Sequence, residues 1–302
     1  MSALAVREVI LAGGVYGSAQ LLLLSGVGPA DQLMKYGIKP VVDLAGVGKN
    51  LVEHPFMFVG WHQRPAAFRS ALRADRAAAW MLRWGIFGQG VFATNGAAGN
   101  LFIRTDPRLD RPDMQFTCIS GELGARELWF PLFGKQPTHT LGVGVSMIKQ
   151  DSRGEVTLRS ANANDPPRIL FNLFKERADV ERAIRGLKVI RNVYHQEPLG
   201  SLIGDEILPG AHVRSDAELE KFVLETGAIT QHAVGTCKMG ADSDAGAVVD
   251  SALRVRGAEA LRVIDASIMP DVPGGNTNAP TIMIAEKGAD LLRGRTLPRA
   301  DV

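Results

Sequence analysis

Apolar and polar positions fall into three textures along this chain. Near the start, Val9-Ile10-Leu11-Ala12 is a short apolar run closed by Gly13-Gly14. Such a run predicts a buried parallel strand turning into a loop. Ser18 stands where it can cap a helix over Ala19–Ser25, and Gly26 is placed to stop it. From Phe56 to about Arg214 the pattern changes. Strand-like runs recur at 100–104, 114–119, 141–148 and 154–158, with turn residues between them, and predict an antiparallel sheet. The stretch 177–194 is helical instead, because Val180, Ala183, Ile184, Leu187 and Ile190 line one face at a 3.6-residue period. Asp165-Pro166-Pro167-Arg168 is a stiff turn. Ser215 with Glu218 three residues on predicts a capping box, and its helix runs to Thr226, where Gly227 stops it. The α/β texture then returns. Leu261-Arg262-Val263-Ile264 reads as a strand ending at Asp265, and Asn278 is a suitable N-cap for a helix to about Leu292, with Pro280 in its first turn.

Composition narrows the classes without naming one. A chain of 302 residues has room for one large domain or two ordinary ones. With 46% hydrophobic and 22% charged residues it reads as an ordinary soluble globular protein. A net charge of +2 makes no electrostatic case for nucleic acid, and 2 cysteines are too few for a disulfide framework. No apolar run is long enough to span a bilayer, and no secretory signal is visible at the N-terminus. The six histidines show no metal-ligand spacing, and no G-x-S-x-G elbow is present, which argues against metal catalysis and a serine hydrolase. Trp80 to Phe87 is unusually aromatic; it reads as a buried connector, as a lid over an apolar pocket, or as a surface meeting a membrane or partner.

The chemistry-bearing residues lie between Thr226 and Leu292. His232 follows the Gly227 helix stop and precedes the Gly235-Thr236 turn; Asn276 sits in the Gly-rich turn that opens the last helix. Two loops at strand ends can bring one titratable base and one neutral amide together, where α/β folds build sites. The positive end of the last helix suits an anion, such as a reduced flavin, near Asn276 to Asn278. Gly46 to Pro55 forms a second compact turn in which His54 reads as a satisfied structural histidine. No G-x-G-x-x-G follows the first strand, so its glycines alone read as turn residues.

Several of these motifs together resemble the glucose–methanol–choline (GMC) oxidoreductase family, in its alcohol and choline dehydrogenase branch. Gly14 to Leu22 with Ser25-Gly26-Val27-Gly28 is similar to one family signature, with Ala19 where proline is common. Gly46 to Pro55 resembles the turn G-V-G-x-N-L-x-D-H-P, with Glu53 in place of the aspartate. His232 falls on the family's catalytic histidine within H-x-x-G-T-C-x-M-G, and Asn276 on its His-or-Asn partner. Asp265-Ala266-Ser267 matches the segment that holds the flavin ribityl and pyrophosphate.

The resemblance covers essentially the whole chain and implies a fold class of α/β plus α+β. An incomplete FAD-binding, Rossmann-like domain, at 1–55 and 226–302, is joined to an antiparallel-sheet substrate domain at 56–225. Family members begin with a βαβ unit bearing G-x-G-x-x-G, absent here, so the chain resembles the C-terminal part of a full enzyme. The implied cofactor is FAD, held by Ala12, Gly13, Asn50, Asp265, Ala266, Gly275, Thr277 and Asn278. The implied reaction is oxidation of an alcohol: His232 takes the hydroxyl proton, Asn276 bonds the same oxygen, and hydride passes to the flavin. A quinone or another acceptor takes the electrons, and the setting is cytoplasmic or peripheral to the inner membrane. Choline-handling relatives carry a Glu where Ala98 stands in the stretch Thr94 to Arg104. With Asn95 and Ala98 assigned to the pocket, a neutral primary alcohol is expected over choline, whose cation needs a carboxylate or an aromatic cage. The rival readings are a choline dehydrogenase, a GMC-like lyase without net redox, and a truncated, non-catalytic fragment that binds no FAD alone.

Overall fold

The computed structural model describes residues 4–64, 71, 73–94, 96–120 and 140–295. The chain divides into two compact units. Unit 1 comprises Met1–His54, Lys149–Lys175 and Ile229–Val302, and unit 2 comprises Pro55–Ile148 and Glu176–Ala228.

In chain order, the first segment holds β1 (Val9–Leu11), α1 (Gly14–Leu24), β2 (Val27–Gly28), α2 (Ala30–Lys35) and β3 (Val42–Asp43). Unit 2 begins with β4 (Pro55–Gln63), α3 (Ala74–Phe87), β5 (Ala97–Ile103), β6 (Met114–Ser120) and β7 (Thr140–Met147). The chain returns to unit 1 for β8 (Glu155–Thr157) and β9 (Arg168–Leu170), then to unit 2 for α4 (Arg177–Tyr194), α5 (Leu199–Leu202), β10 (Ile203–Leu208) and α6 (Asp216–Thr226). The short strand β11 (Ala228–Ile229) straddles the boundary in sequence, and β12 (Leu261–Val263) and α7 (Asn278–Leu292) finish unit 1.

In unit 1, β1 pairs parallel with β12, Val9 to Leu261 through Leu11 to Val263. This pairing brings residues some 250 positions apart side by side, and Asp265 just past β12 uses it. Its Oδ2 accepts from Gly14 N at 2.9 Å and from Ser18 Oγ at 2.6 Å; its Oδ1 accepts from Ser267 N at 2.8 Å. A distant carboxylate thus takes the place of a local cap, and α1 starts at Gly14, with Ser18 inside it. The sequence placed Ser18 at the cap because it is the nearest hydroxyl; its Oγ instead accepts from Gly13 N and donates to Asp265. The expected stop holds: α1 ends at Leu24, and Gly26 follows in the left-handed region at φ 81°. Val15, Ala19, Leu22 and Leu23 of α1 are buried with Leu51, Val234, Val248, Val263 and Ile268 in one core. Each fully buried aliphatic side chain contributes about 1.5–3 kcal/mol.

In unit 2 the antiparallel strands run in the order β10-β4-β7-β6-β5. All five expected apolar positions of α4 are buried. Gly186 lets the helix approach closely: a Cβ there would lie 2.1 Å from Met114 Cε. At the helix end Tyr194 stacks on Trp61, centroids 4.7 Å apart and planes 5° from parallel. The capping box forms as expected, with the Ser215 side chain accepting from Glu218 N and the Glu218 carboxylate accepting from Ser215 N.

Three further expectations change. The run at 154–158 lies outside the large sheet; β8 pairs with β9 in unit 1, so 149–175 leaves the middle region to which the sequence assigned it. The Pro-Pro turn at 166–167 leads into β9 and makes that local pairing possible. The aromatic stretch is no buried connector: it is helix α3, with Met81, Leu82, Trp84, Ile86 and Phe87 exposed. At the last helix Thr277, not Asn278, is the cap residue, and it supplies no side-chain bond. Thr277 already has helical backbone angles (φ −84°, ψ −8°), and Thr281 Oγ1 donates to its carbonyl oxygen.

Candidate active site

His232 lies in the loop after β11, half-buried, and its surroundings come from two loops of unit 1. Antiparallel bonding between Val52 and Val234 sets the two loops side by side. Gly235 permits the approach: its φ is 98°, and a Cβ there would meet Asn50 O at 2.3 Å. The result places Glu53-His54 directly against Thr230 and His232.

The bonds are dense. Glu53 is buried, and its Oε1 accepts from His54 N at 2.9 Å, from His232 N at 2.8 Å and from Thr230 Oγ1 at 3.0 Å. Gln150 Nε2 donates to the Glu53 backbone oxygen. His54, fully buried, sets its Nδ1 3.0 Å from His232 Nδ1 and its Nε2 3.0 Å from Pro273 O. Thr230 Oγ1 is also 3.0 Å from His232 Nδ1. His232 Nε2 makes no hydrogen bond among the described residues.

Burial sets the electrostatics. It pushes the His54 imidazole down to about 4; the neighbouring His232 adds to this, and the Pro273 carbonyl opposes it. Burial also lowers His232, while the Glu53 charge works the other way. Tyr16 is raised by burial and then by Glu53. Cys237, buried in the same motif, is pushed up to about 12 by desolvation and is a packing residue, not a nucleophile.

The other expected site residues divide into two groups. Asp265 is buried with both carboxylate oxygens engaged. Asn50, at φ 58°, donates to Pro270 O at 3.0 Å and accepts from Arg153 Nε at 3.2 Å. These two hold the loops in place. Ala266 opens the short 3₁₀ turn Ala266–Ile268. In the second group, Ala12 and Gly13 are exposed at the β1–α1 turn, and Asn276 and Asn278 are exposed at the start of α7. Gly275 is half-buried and Thr277 is buried. Nothing lies within 4 Å of a Cβ placed on Gly274 or Gly275, and α7 carries no side-chain cap. The first amides of α7 are therefore open to a planar, electron-rich group, whose negative edge the helix end would favour. The Asn276 side chain makes no hydrogen bond among the described residues; the imidazole placed against His232 is that of His54.

In unit 2, Ala98 is the extra residue of a bulge in β5, between the pairs Ala97–Ile119 and Gly99–Cys118, and is exposed. Asn95 lies outside the described residues. Sequence reasoning undervalued Glu53, His54 and Thr230. The available signal was the close repetition of polar residues, Glu-His before Pro55 and Thr-x-His at 230–232, in segments otherwise built for packing.

Unit 1 thus holds both a half-buried imidazole with one ring nitrogen unpartnered among the described residues and a helix start without a side-chain cap. Two family models, both described as GMC oxidoreductase, match residues 1–56 and 150–285. The chain belongs to the GMC oxidoreductase family. It is 41% identical over 298 residues to human mitochondrial choline dehydrogenase, covering 97% of this chain and 49% of the relative. It is 39% identical over 300 residues to oxygen-dependent choline dehydrogenase 1 of Chromohalobacter salexigens, covering 98% and 52%. Among solved structures, formate oxidase of Aspergillus oryzae aligns with a TM-score of 0.86 at 26% identity, over 96% of this chain and 54% of that one. The chain spans about half the length of the curated relatives it matches.

Proposed function

We propose that this chain carries the catalytic base and the flavin-edge loops of an FAD-dependent enzyme oxidising CH–OH donors, with a neutral primary alcohol as substrate. One observation carries the reading: His232 keeps Nε2 unpartnered among the described residues while its Nδ1 and its backbone amide are both engaged. An imidazole lowered by burial is neutral at pH 7 and ready to accept a proton. In this reading His232 Nε2 takes the hydroxyl proton, and the Asn276 amide donates to the same oxygen. Bound FAD would supply the hydride acceptor. The α7 start at Gly275, Thr277 and Asn278, together with Ala12 and Gly13, would hold it, while Asp265, Ala266 and Asn50 keep those loops in shape. A quinone or another acceptor completes the cycle. The exposed apolar side chains of α3 suit contact with a membrane surface or a partner; no described helix is long and apolar enough to cross a membrane.

The choline dehydrogenase relatives favour a second reading, with choline as substrate. Against it, strands β4 to β7 contain no acidic residue, and Ala98 stands exposed at its bulge. A desolvated quaternary ammonium would have no carboxylate there. The test is anaerobic bleaching of a full-length, FAD-loaded enzyme that contains this segment, followed by kcat/KM for a medium-chain primary alcohol and for choline with an artificial acceptor. Bleaching and a preference for the neutral alcohol are expected. No bleaching with any alcohol would overturn the oxidoreductase reading, and a preference for choline would overturn the substrate class.

A further inference from the structure

The contact between the two histidines assigns a proton. A carbonyl oxygen only accepts, so the 3.0 Å contact to Pro273 O requires hydrogen on His54 Nε2. His54 is neutral above about pH 4, so its other nitrogen, Nδ1, holds a lone pair and must accept. The atom facing it is His232 Nδ1, at 3.0 Å. Thr230 has one hydroxyl hydrogen, and both Glu53 Oε1 at 3.0 Å and His54 O at 3.3 Å are acceptors that can take it. Toward His232 Nδ1, Thr230 Oγ1 therefore also accepts. Every partner of His232 Nδ1 requires hydrogen on that nitrogen, and a neutral imidazole carries only one.

We propose that His54 is a positioning residue: anchored through Nε2–H on Pro273 O, its Nδ1 lone pair holds His232 in the Nδ1–H tautomer and keeps the His232 Nε2 lone pair free. The inference rests on the reading of His232 as the base and deepens it. The arrangement also survives the proton transfer. When Nε2 gains a proton from the substrate hydroxyl, Nδ1–H still donates to the same two acceptors, so no neighbouring group must turn. The charged groups around the pair support that sequence. Glu53 is held on the backbone amides of both histidines and attracts the imidazolium that forms. Tyr16, raised by burial and further by Glu53, stays a neutral phenol. Glu53 also explains why the geometry persists: one carboxylate oxygen fixes the backbone of both residues and the Thr230 hydroxyl.

The test is nitrogen-15 NMR of the imidazoles in the 302-residue chain at pH 7, with the His54 and His232 signals assigned from single variants. The expected result is opposite tautomers, Nδ1–H for His232 and Nε2–H for His54. Finding His232 as Nε2–H in the unaltered protein would overturn the proposal, and this measurement needs neither cofactor nor turnover. His54→Leu should release His232 into a mixture of tautomers. His54→Asn, whose side-chain oxygen can accept near the former Nδ1, should restore Nδ1–H. In a full-length, FAD-loaded enzyme that contains this segment, His54→Leu should lower kcat at least tenfold and shift its pH profile, with KM and flavin content unchanged and partial recovery in His54→Asn. A His54→Leu protein that keeps a pure Nδ1–H tautomer would also refute the role. Full activity of His232→Ala would sink the base reading and leave the tautomer result standing, so the two failures are distinguishable.

Discussion

His54 couples stability to pH. Its ring is neutral in the folded protein down to about pH 4 but protonates near 6.5 when unfolded. Between these values the unfolded chain binds more protons, so stability falls as pH falls, and the loss is complete near pH 4. The shift corresponds to about 3 kcal/mol, and the lowered His232 acts in the same direction. Denaturant midpoints at pH 7, 5.5 and 4.5 should show the fall, and His54→Gln should flatten that slope even if its absolute stability differs. An unchanged slope would separate the imidazole from the effect. For His232 the expectation is catalytic: in a complete, FAD-loaded enzyme that contains this segment, His232→Ala should lower kcat by roughly 10²–10⁴, the range for a lost general base, with flavin retained. Near-normal turnover would mean that the base lies elsewhere.

At the scale of elements, the caps show how local and distant chemistry divide the work. The α6 box is local: Ser215 and Glu218 are three residues apart and satisfy each other's backbone amides. Three bonds place the Glu218 carboxylate at about 2, those from the Ser215 and Arg214 amides first and that from the Ser215 hydroxyl next. Ser215→Ala should cost about 1 kcal/mol, read from denaturant unfolding, because an end-of-helix amide loses its acceptor. A change within error would mean that water replaces the hydroxyl without cost. The α1 start is the opposite case: its carboxylate comes from Asp265 across the β1–β12 ladder. No window of sequence around Gly14 contains that information. The same reason makes Ser18 a linker between Gly13 and Asp265 and not a cap.

For the whole molecule, the two units have different kinds of core. Unit 1 is assembled from three separated segments around α1, and Glu53, Gln150 and His232, one from each segment, are joined by hydrogen bonds. Unit 2 is a sheet covered by the apolar stripe of α4. Unit 1 offers an open helix start at α7 but no G-x-G-x-x-G turn to hold a pyrophosphate. A preparation of these 302 residues is therefore expected to be colourless or nearly so. The measurement is the flavin absorbance after purification in the presence of FAD, and stoichiometric retention would show that the α1 and α7 ends suffice.

What the sequence determined by itself is what depends on neighbours in the chain. The stripe of α4, the capping box of α6, the glycine after α1 and the strands β5, β6 and β7 all follow from period, capping chemistry and turn residues. His232 could be picked out because its glycine-framed motif resembles a known family. What only the tertiary structure decided depends on partners far away in sequence. Residues 149–175 join unit 1 because β8 finds β9 and Leu51 bonds Gly154. Asp265 replaces a local cap because β1 and β12 pair. His54 reads as an ordinary loop histidine until Val52 meets Val234 and sets it 3.0 Å from His232. A hydrogen bond between positions 54 and 232 leaves no periodic trace in either segment. The proton that makes Nε2 the free nitrogen is therefore legible only when donors and acceptors are counted in three dimensions.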